Sequence, residues 1–297
     1  AHEPGPEARG DSKGGGRMSL LDESVVWIDG TLCRAGDARV SPFDHGLLVG
    51  DGVFETTKVV DGVPFALRRH LARLRRSAGG LRITLPYTDE ELAAAIDAVI
   101  HANGPGTGRL RTTVTGGPGP LGSDRGPVLP TVVIAASAPS VWPPSTAVVT
   151  VPWPRNERSA VAGLKTVSYA ENVVALTYAH ERGASEAIFP NTVGLLCEGT
   201  GSNVFLVREG RLVTPTLSAG CLGGITRELV LETSGAIECD VPLEALAGAD
   251  EAFLTSSTRD VQPISQVDGQ VLPSCPGPHT EAAAAVLAAL AARTLDP

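Results

Sequence analysis

Lys165 is one of only three lysines in a chain of 297 residues that carries twenty-one arginines. Lys13 lies in a glycine-rich stretch and Lys58 in the strand-like run VFETTKVV, whereas Lys165 sits in GLKTVSYAENVVAL, immediately ahead of an apolar helical run. Two glycine turns follow it: CEGTGSNVF at 197–205, with Glu198 near its head, and GGITRE at 223–228. An amine can condense with an aldehyde, and a carboxylate can hold a proton on a heteroaromatic nitrogen. A glycine turn that opens a helix can take an anion on bare backbone. Together these are the parts that a site for pyridoxal phosphate needs.

Each part also has a plainer reading. Lys165 alone is a solvated lysine at a helix entrance; work as a nucleophile requires burial or a nearby cation, and Leu164 and Val167 are its apolar neighbours in sequence. Glu198 alone is a surface glutamate at a turn, and GTG lacks the third glycine and downstream acid of a dinucleotide fingerprint. The amides of Ile225 and Thr226 point from a helix start toward any anion there, but Thr226 as N-cap explains the threonine equally well. LTSST (254–258) is a hydroxyl-rich strand end of the kind that usually makes a turn. Arg73 shares a helix with Arg69 and Arg76, where a solvated face is the default; one arginine turned inward would complete an anion site. Arg109 and Arg111, two apart on a strand, share a face. They form either a solvent-facing edge or a carboxylate trap suited to a ligand with more than one acid. The chemical reading gains weight because lysine, acid and both glycine turns fall at element ends in the same half of the chain.

The elements that must position them follow from pattern. Asp29-Gly30 and Asp61-Gly62 mark hairpin turns, the first between 25–29 and 31–34. Helices are expected from about Arg69 to Ala78 and over TDEELAAAIDAVIHAN (88–103), strands over 109–117 and 130–137. These make a small N-terminal α/β domain, residues 24–137. APSVWPPST (138–146), with three prolines and no periodicity, reads as an interdomain linker. Residues 147–297 form a larger domain: strands at AVVTVPW, EAIFPN, VGLLCEG, NVFLVREGRLVTP and ADEAFLTSS, with helices at NVVALTYAHERGA, TRELVLETSGA and EAAAAVLAALAART. The fold class is α+β (α/β).

Bulk properties exclude several classes. Hydrophobic residues make up 42% and mean hydropathy is +0.10, and no apolar run approaches the roughly 20 residues that cross a bilayer. Net charge of −9 argues against a nucleic-acid partner. Five scattered cysteines without a CxxC pair indicate reduced thiols in a cytoplasmic setting, and six isolated histidines show no metal-ligand spacing. Residues 1–23 carry no apolar signal core and read as a disordered tail, with Met18 as a candidate native start.

SPFDHGLLVGDGVFETTKVVDG (41–62), HLARL (70–74), GLKTVSYAENVVA, CEGTGSNVFLV, GGITRE and FLTSST, in this order over about 25–265, resemble the class IV, or fold type IV, pyridoxal-phosphate enzymes. That family includes branched-chain and D-amino-acid aminotransferases and aminodeoxychorismate lyases, the last being most similar. The resemblance implies a homodimer with a C-terminal pseudo-barrel domain. It implies Lys165 as the Schiff-base lysine and proton shuttle, Glu198 facing the pyridine nitrogen, and Tyr169 at the ring oxygen. Phosphate ligands would be Arg73, the backbone of Ile225 and Thr226, and the Ser257 hydroxyl. On the substrate side, Gly116 stands where D-amino-acid aminotransferases carry an arginine, and Val49 and Arg109 replace two tyrosines of the branched-chain enzymes, while Phe54 remains. The pair Arg109 and Arg111 suits a dicarboxylate better than an isopropyl side chain. The expected reaction is elimination of pyruvate from aminodeoxychorismate, with transamination as the alternative.

Overall fold

The computed structural model describes residues 23–297; apart from Glu23, the expected tail, with Lys13 and Met18, lies outside the described residues. Strands β1 (Val25–Ile28) and β2 (Thr31–Arg34) pair antiparallel around Asp29 and Gly30, whose φ values of 43° and 96° make the tight turn. Further strands are β3 (Gly52–Val60), β4 (Val63–Pro64), β5 (Arg109–Thr115) and β6 (Val132–Ser137). They complete an antiparallel sheet in the order β2-β1-β6-β5-β3-β4. A short helix α1 (His45–Leu48) precedes β3; helices α2 (Leu67–Gly80) and α3 (Asp89–Asn103) cover the sheet. Helix α3 is announced by a capping box in which Thr88 and Glu91 satisfy each other's backbone N–H. Its Leu92, Ala95, Ile96, Val99 and Ile100 recur at helical spacing and pack with Leu74, Leu110, Val114 and Ile134 in one apolar core.

The second sheet contains β7 (Thr146–Thr150), β8 (Glu186–Pro190), β9 (Leu196–Gly199), β10 (Asn203–Arg208), β11 (Arg211–Thr214), β12 (Ile237–Glu238), β13 (Glu251–Ser256), β14 (Asp260–Val267) and β15 (Gln270–Val271). The order is β12-β11-β10-β13-β14-β7-β8-β9, with β15 beside β14. The sheet curls until β9 approaches β10, giving a half-barrel. Period-two alternation sorts β10 between two cores: Val204 and Leu206 join Val148, Ile188, Leu196, Leu254 and Ile264, while Phe205 and Val207 join Phe253, Val230 and Ala283. The second core receives helices α5 (Ile225–Ser234) and α6 (Pro278–Arg293); helix α4 (Ala170–His180) packs on β8.

The two sheets are joined where chemistry was expected. Phe54 N–H donates to the Lys165 carbonyl (3.0 Å), Val167 N–H donates to the Gly52 carbonyl (2.9 Å), and Val53 and Thr166 form a β-bridge. The lysine segment is therefore a short extra strand on the edge of β3.

Helix α2 is two residues longer at each end than its pattern suggests. Strand β14 went unread because DVQPISQV is polar and contains Pro263, a residue that argues against a central strand. It is nonetheless central, with Pro263 opposite Phe253 in the β13 pairing. Among the described residues no helix is long and apolar enough to cross a membrane, no cluster could hold a metal ion, and all five cysteines are free thiols.

Phe205 and Phe253 stack with ring centroids 4.9 Å apart at 8° and are fully buried. Phe253→Ala should cost about 3–5 kcal/mol of stability, read as a lowered urea midpoint with unchanged slope.

Candidate active site

Lys165 is fixed by its backbone before its side chain does anything. Its N–H donates to Ser77 Oγ (3.2 Å) from α2 and its carbonyl accepts from Phe54, so the side chain leaves the bridge into the crevice between the sheets. Nζ lies 4.4 Å from the Phe54 ring centre and 6.0 Å from that of Tyr169. Phe54 and Tyr169 pack edge to face at 5.1 Å. The apolar wall is thus Phe54, not Leu164, which packs against Gly80. Burial, together with the charge of Arg73, pulls the Lys165 pKa down to about 8, against a counter-pull from Glu55 and Glu198. Near neutral pH this amine therefore loses its proton far more readily than a surface lysine.

Glu198, on β9, accepts from Leu222 N–H (2.9 Å) and faces Arg155 Nε at 3.3 Å. Arg155 is itself held by Glu171 (2.5 Å) and lies over the Phe189 ring at 4.1 Å. Burial pushes the Glu198 carboxyl pKa up, while Arg155, the Leu222 amide and Lys165 draw it back. Burial, and then the Glu198 charge, raise the Tyr169 hydroxyl to about 12, so Tyr169 stays a neutral donor.

The anion cradle opens at α5. Its N-cap is Gly224, with no side-chain cap, which corrects the expectation that Thr226 caps the helix: Thr226 lies inside the first turn. A Cβ on Gly224 would come within 2.0 Å of Asn203 Oδ1, and Asn203 Nδ2 donates to the Leu222 carbonyl (2.8 Å). Arg73 did turn inward. It is 4% exposed, gives Nε and Nη2 to Glu55 (2.8 and 2.6 Å) and Nη1 to the Gly223 carbonyl (3.0 Å). His70 Nδ1 donates to the same Glu55 (2.7 Å), which leaves Nε2 3.5 Å from Ser257 Oγ.

The crevice gathers nearly every expected residue. Arg73, Lys165, Ile225, Thr226 and Ser257 line a cavity of about 40 Å³. Phe54, Arg111, Tyr169 and Ser257 join Arg73 and Lys165 around a contiguous space of about 190 Å³, and Glu198 and Tyr169 border a third of about 260 Å³. Arg109 lines none of these. It bonds Ser137 Oγ (3.0 Å) and Ser140 Oγ (3.2 Å) and shares an outer cavity of about 300 Å³ with Arg111, Thr56, Ala135 and Ala136. Arg111, among the described residues the one cation common to inner and outer spaces, lies flat over the Phe54 ring at 3.6 Å. Glu55, His70, Arg155 and Asn203 were not anticipated. Only the juxtaposition of an acid inside an apolar strand (GVFETT) with an arginine helix hinted at the first.

The geometry is matched by kinship. Residues 52–267 fit the model of the amino-transferase class IV family. This chain belongs to the class IV aminotransferases. It is 34% identical to a putative branched-chain-amino-acid aminotransferase of Methanocaldococcus jannaschii over 83% of this chain and 89% of that one. It is 32% identical to the aminodeoxychorismate lyase of Bacillus subtilis over 82% and 87%. Its fold superposes on the branched-chain aminotransferase of Thermoproteus uzoniensis crystallised with norvaline, with TM-score 0.83 and 33% identity over 88% and 92%. The family's cofactor is pyridoxal phosphate, and the residues present fit it. Gly201 borders all three inner cavities, and a Cβ there would meet no protein atom within 4 Å, so the space over this turn is free for a ligand. Around it stand a low-pKa amine, a carboxylate, a helix start and a buried arginine.

Two outcomes follow. Competitive acetylation of the apoprotein should titrate Lys165 with a midpoint near pH 8, and Arg111→Leu, by removing a nearby cation, should move that midpoint upward. Ser257→Ala, which removes the hydroxyl assigned to the phosphate, should weaken pyridoxal phosphate several-fold in equilibrium titrations while leaving pyridoxal, which lacks the phosphate, nearly unchanged.

Proposed function

We propose that this enzyme eliminates pyruvate from aminodeoxychorismate, a substrate with two carboxylates, to give 4-aminobenzoate. The observation that carries this reading is the pair of cations on the substrate side: Arg111 at the inner cavity and Arg109 at the outer. Among the described residues the apolar lining there is the Phe54 and Tyr169 rings with Ala135 and Ala136, and it includes no aliphatic side chain larger than alanine. A branched aliphatic side chain gains from apolar walls, about 25 cal/mol per Å² buried, which this pocket provides sparingly. Successive same-face residues of a strand lie roughly 7 Å apart, a separation that suits the two acids of one small substrate.

The roles of the chain's residues follow. Pyridoxal phosphate, when bound, supplies an electron sink conjugated to the substrate nitrogen. The Ile225 and Thr226 amides, Arg73 and Ser257 would hold its phosphate. Glu198, oriented by Arg155 and Leu222 N–H, would hold a proton at the ring nitrogen, and the neutral Tyr169 hydroxyl would donate to the ring oxygen. Lys165, whose burial favours the neutral amine, would take the proton from the amine-bearing carbon. The C–O bond at the adjacent carbon then breaks, the enolpyruvyl group leaves with the electron pair and takes up a proton as pyruvate, and the six-membered ring becomes aromatic. Phe54 and Tyr169 keep water from the amine. We also infer association with a second copy, supported by Phe43, Leu47 and Val49, apolar yet 52%, 70% and 46% exposed in and around the short helix α1.

Transamination between a branched-chain or D-amino acid and a 2-oxo acid is the second reading. It is favoured by the aminotransferases among the relatives and uses the same residues, the proton returning to a different carbon. Supplying aminodeoxychorismate without any oxo acid separates them. Release of 4-aminobenzoate under those conditions supports the lyase; turnover only with an added amino acceptor supports the transaminase. Arg109→Leu should raise KM for the dicarboxylate at least tenfold and change KM for a branched-chain amino acid less than threefold, and equal losses would count against the paired-cation assignment.

A further inference from the structure

We propose that Glu186 and Arg259 are positioning residues for the phosphate end of the cofactor: a buried ion pair that clamps turn 199–202 to turn 256–259, the two walls of the smallest cavity. The family assignment gives neither residue a role, and neither lines that cavity.

Glu186 leaves β8 with 1% exposure. Its Oε1 accepts from Ala187 N–H (3.1 Å), Thr200 N–H (3.0 Å) and, in a short bond, the Thr200 hydroxyl; its Oε2 accepts from Ser202 Oγ (3.0 Å) and Arg259 Nη2 (3.1 Å). Only the first of these donors belongs to its own strand. The rest come from the two turns, which together with the adjoining strand residues Asn203 and Thr255 supply Gly201 and Ser202 to one side of the cavity and Ser256 and Ser257 to the other. Glycine at 199 is part of the device, because a Cβ there would press to 2.4 Å from Ser202 Oγ and 3.2 Å from the Glu186 carboxyl carbon. A glycine-rich turn has many accessible backbone states, and a carboxylate accepting from three of its groups selects one.

Arg259 is held as tightly. Nη1 donates to Gln262 Oε1 (2.5 Å), and the guanidinium lies 3.9 Å from the centre of the Trp142 ring. Trp142 belongs to the segment between the two sheets, so that segment is coupled through Arg259 and Glu186 to the cradle. The pair stands behind the cavity wall and does not line the cradle. It sets the positions of groups that do, which is how a supporting shell fixes a binding constellation.

This inference rests on the phosphate occupying the cradle assigned above, and the test separates the two. Apoprotein of the wild type, E186Q, W142L, the double variant E186Q/R259M and S257A is titrated with pyridoxal phosphate and with pyridoxal. Circular dichroism of the bound cofactor and the thermal midpoint are recorded. The clamp predicts at least tenfold weaker pyridoxal phosphate in E186Q, a reduced cofactor dichroism, and under threefold change for pyridoxal. W142L, which should keep its thermal midpoint, is expected to lose about threefold. The double variant, free of the lone buried charge, should regain the midpoint but not the affinity. Affinity within twofold of wild type in E186Q, or recovery of affinity together with midpoint in the double variant, overturns the proposal. Should E186Q not fold, W142L decides, an unchanged affinity being the contrary result. An S257A protein, lacking the one hydroxyl assigned to the phosphate, that binds both ligands like wild type would instead refute the cradle itself.

Discussion

The carboxylate of Glu55, 2% exposed, is the charge on which the crevice is assembled. Burial alone would raise its pKa, but the Arg73 cation and hydrogen bonds from Arg73 and His70 hold it well below the usual carboxylate range. The pair is a liability if broken, since either partner left alone would be an uncompensated buried charge. Intact, it joins three pieces of chain: Glu55 from β3, His70 and Arg73 from α2, and the Gly223 carbonyl before α5. The geometry of the anion cradle therefore depends on a strand from the other sheet.

The electrostatics of the amine follow from this arrangement. Arg73 and Arg111 disfavour a charged Lys165, Glu55 and Glu198 favour one, and desolvation tips the balance toward the neutral form. Glu55 moderates that effect because part of the Arg73 field is spent on it. A free cation at position 73 would lower the lysine further, and an absent one would leave it closer to its solution value. Position is set separately by backbone: the bridge to β3 and the bond to Ser77 Oγ fix where the side chain starts.

The sequence was most legible where chemistry sits at turns. Lys165, Glu198 and the GGIT turn could be read because scarce or special residues stand at element ends, where few structural roles compete. The strands around Asp29-Gly30 and Asp61-Gly62 and the capped helix after Thr88 were legible for the same local reason. Partners far apart in sequence were not. Glu186 meets Arg259 across 73 residues and Lys58 meets Asp260 across 202, and no periodicity encodes such pairings. Arg73 shows the boundary: its helix was clear, but that it, unlike Arg69 or Arg76, faces inward became visible only once Glu55 lay opposite. Strand β14 escaped because its pairing, with Pro263 central, is imposed by neighbours on both sides against its own propensity.

In the proposed function the Lys165 amine is the group that bonds the cofactor's aldehyde carbon. Reducing the holoprotein with borohydride turns such a carbonyl–amine bond into a stable secondary amine, and peptide mapping by mass spectrometry locates it. The expected result is a phosphopyridoxyl group on the peptide containing Lys165, in near-stoichiometric yield, with Lys58 unmodified. The label on Lys58, or an unlabelled Lys165 in protein that still carries the cofactor, would contradict the account.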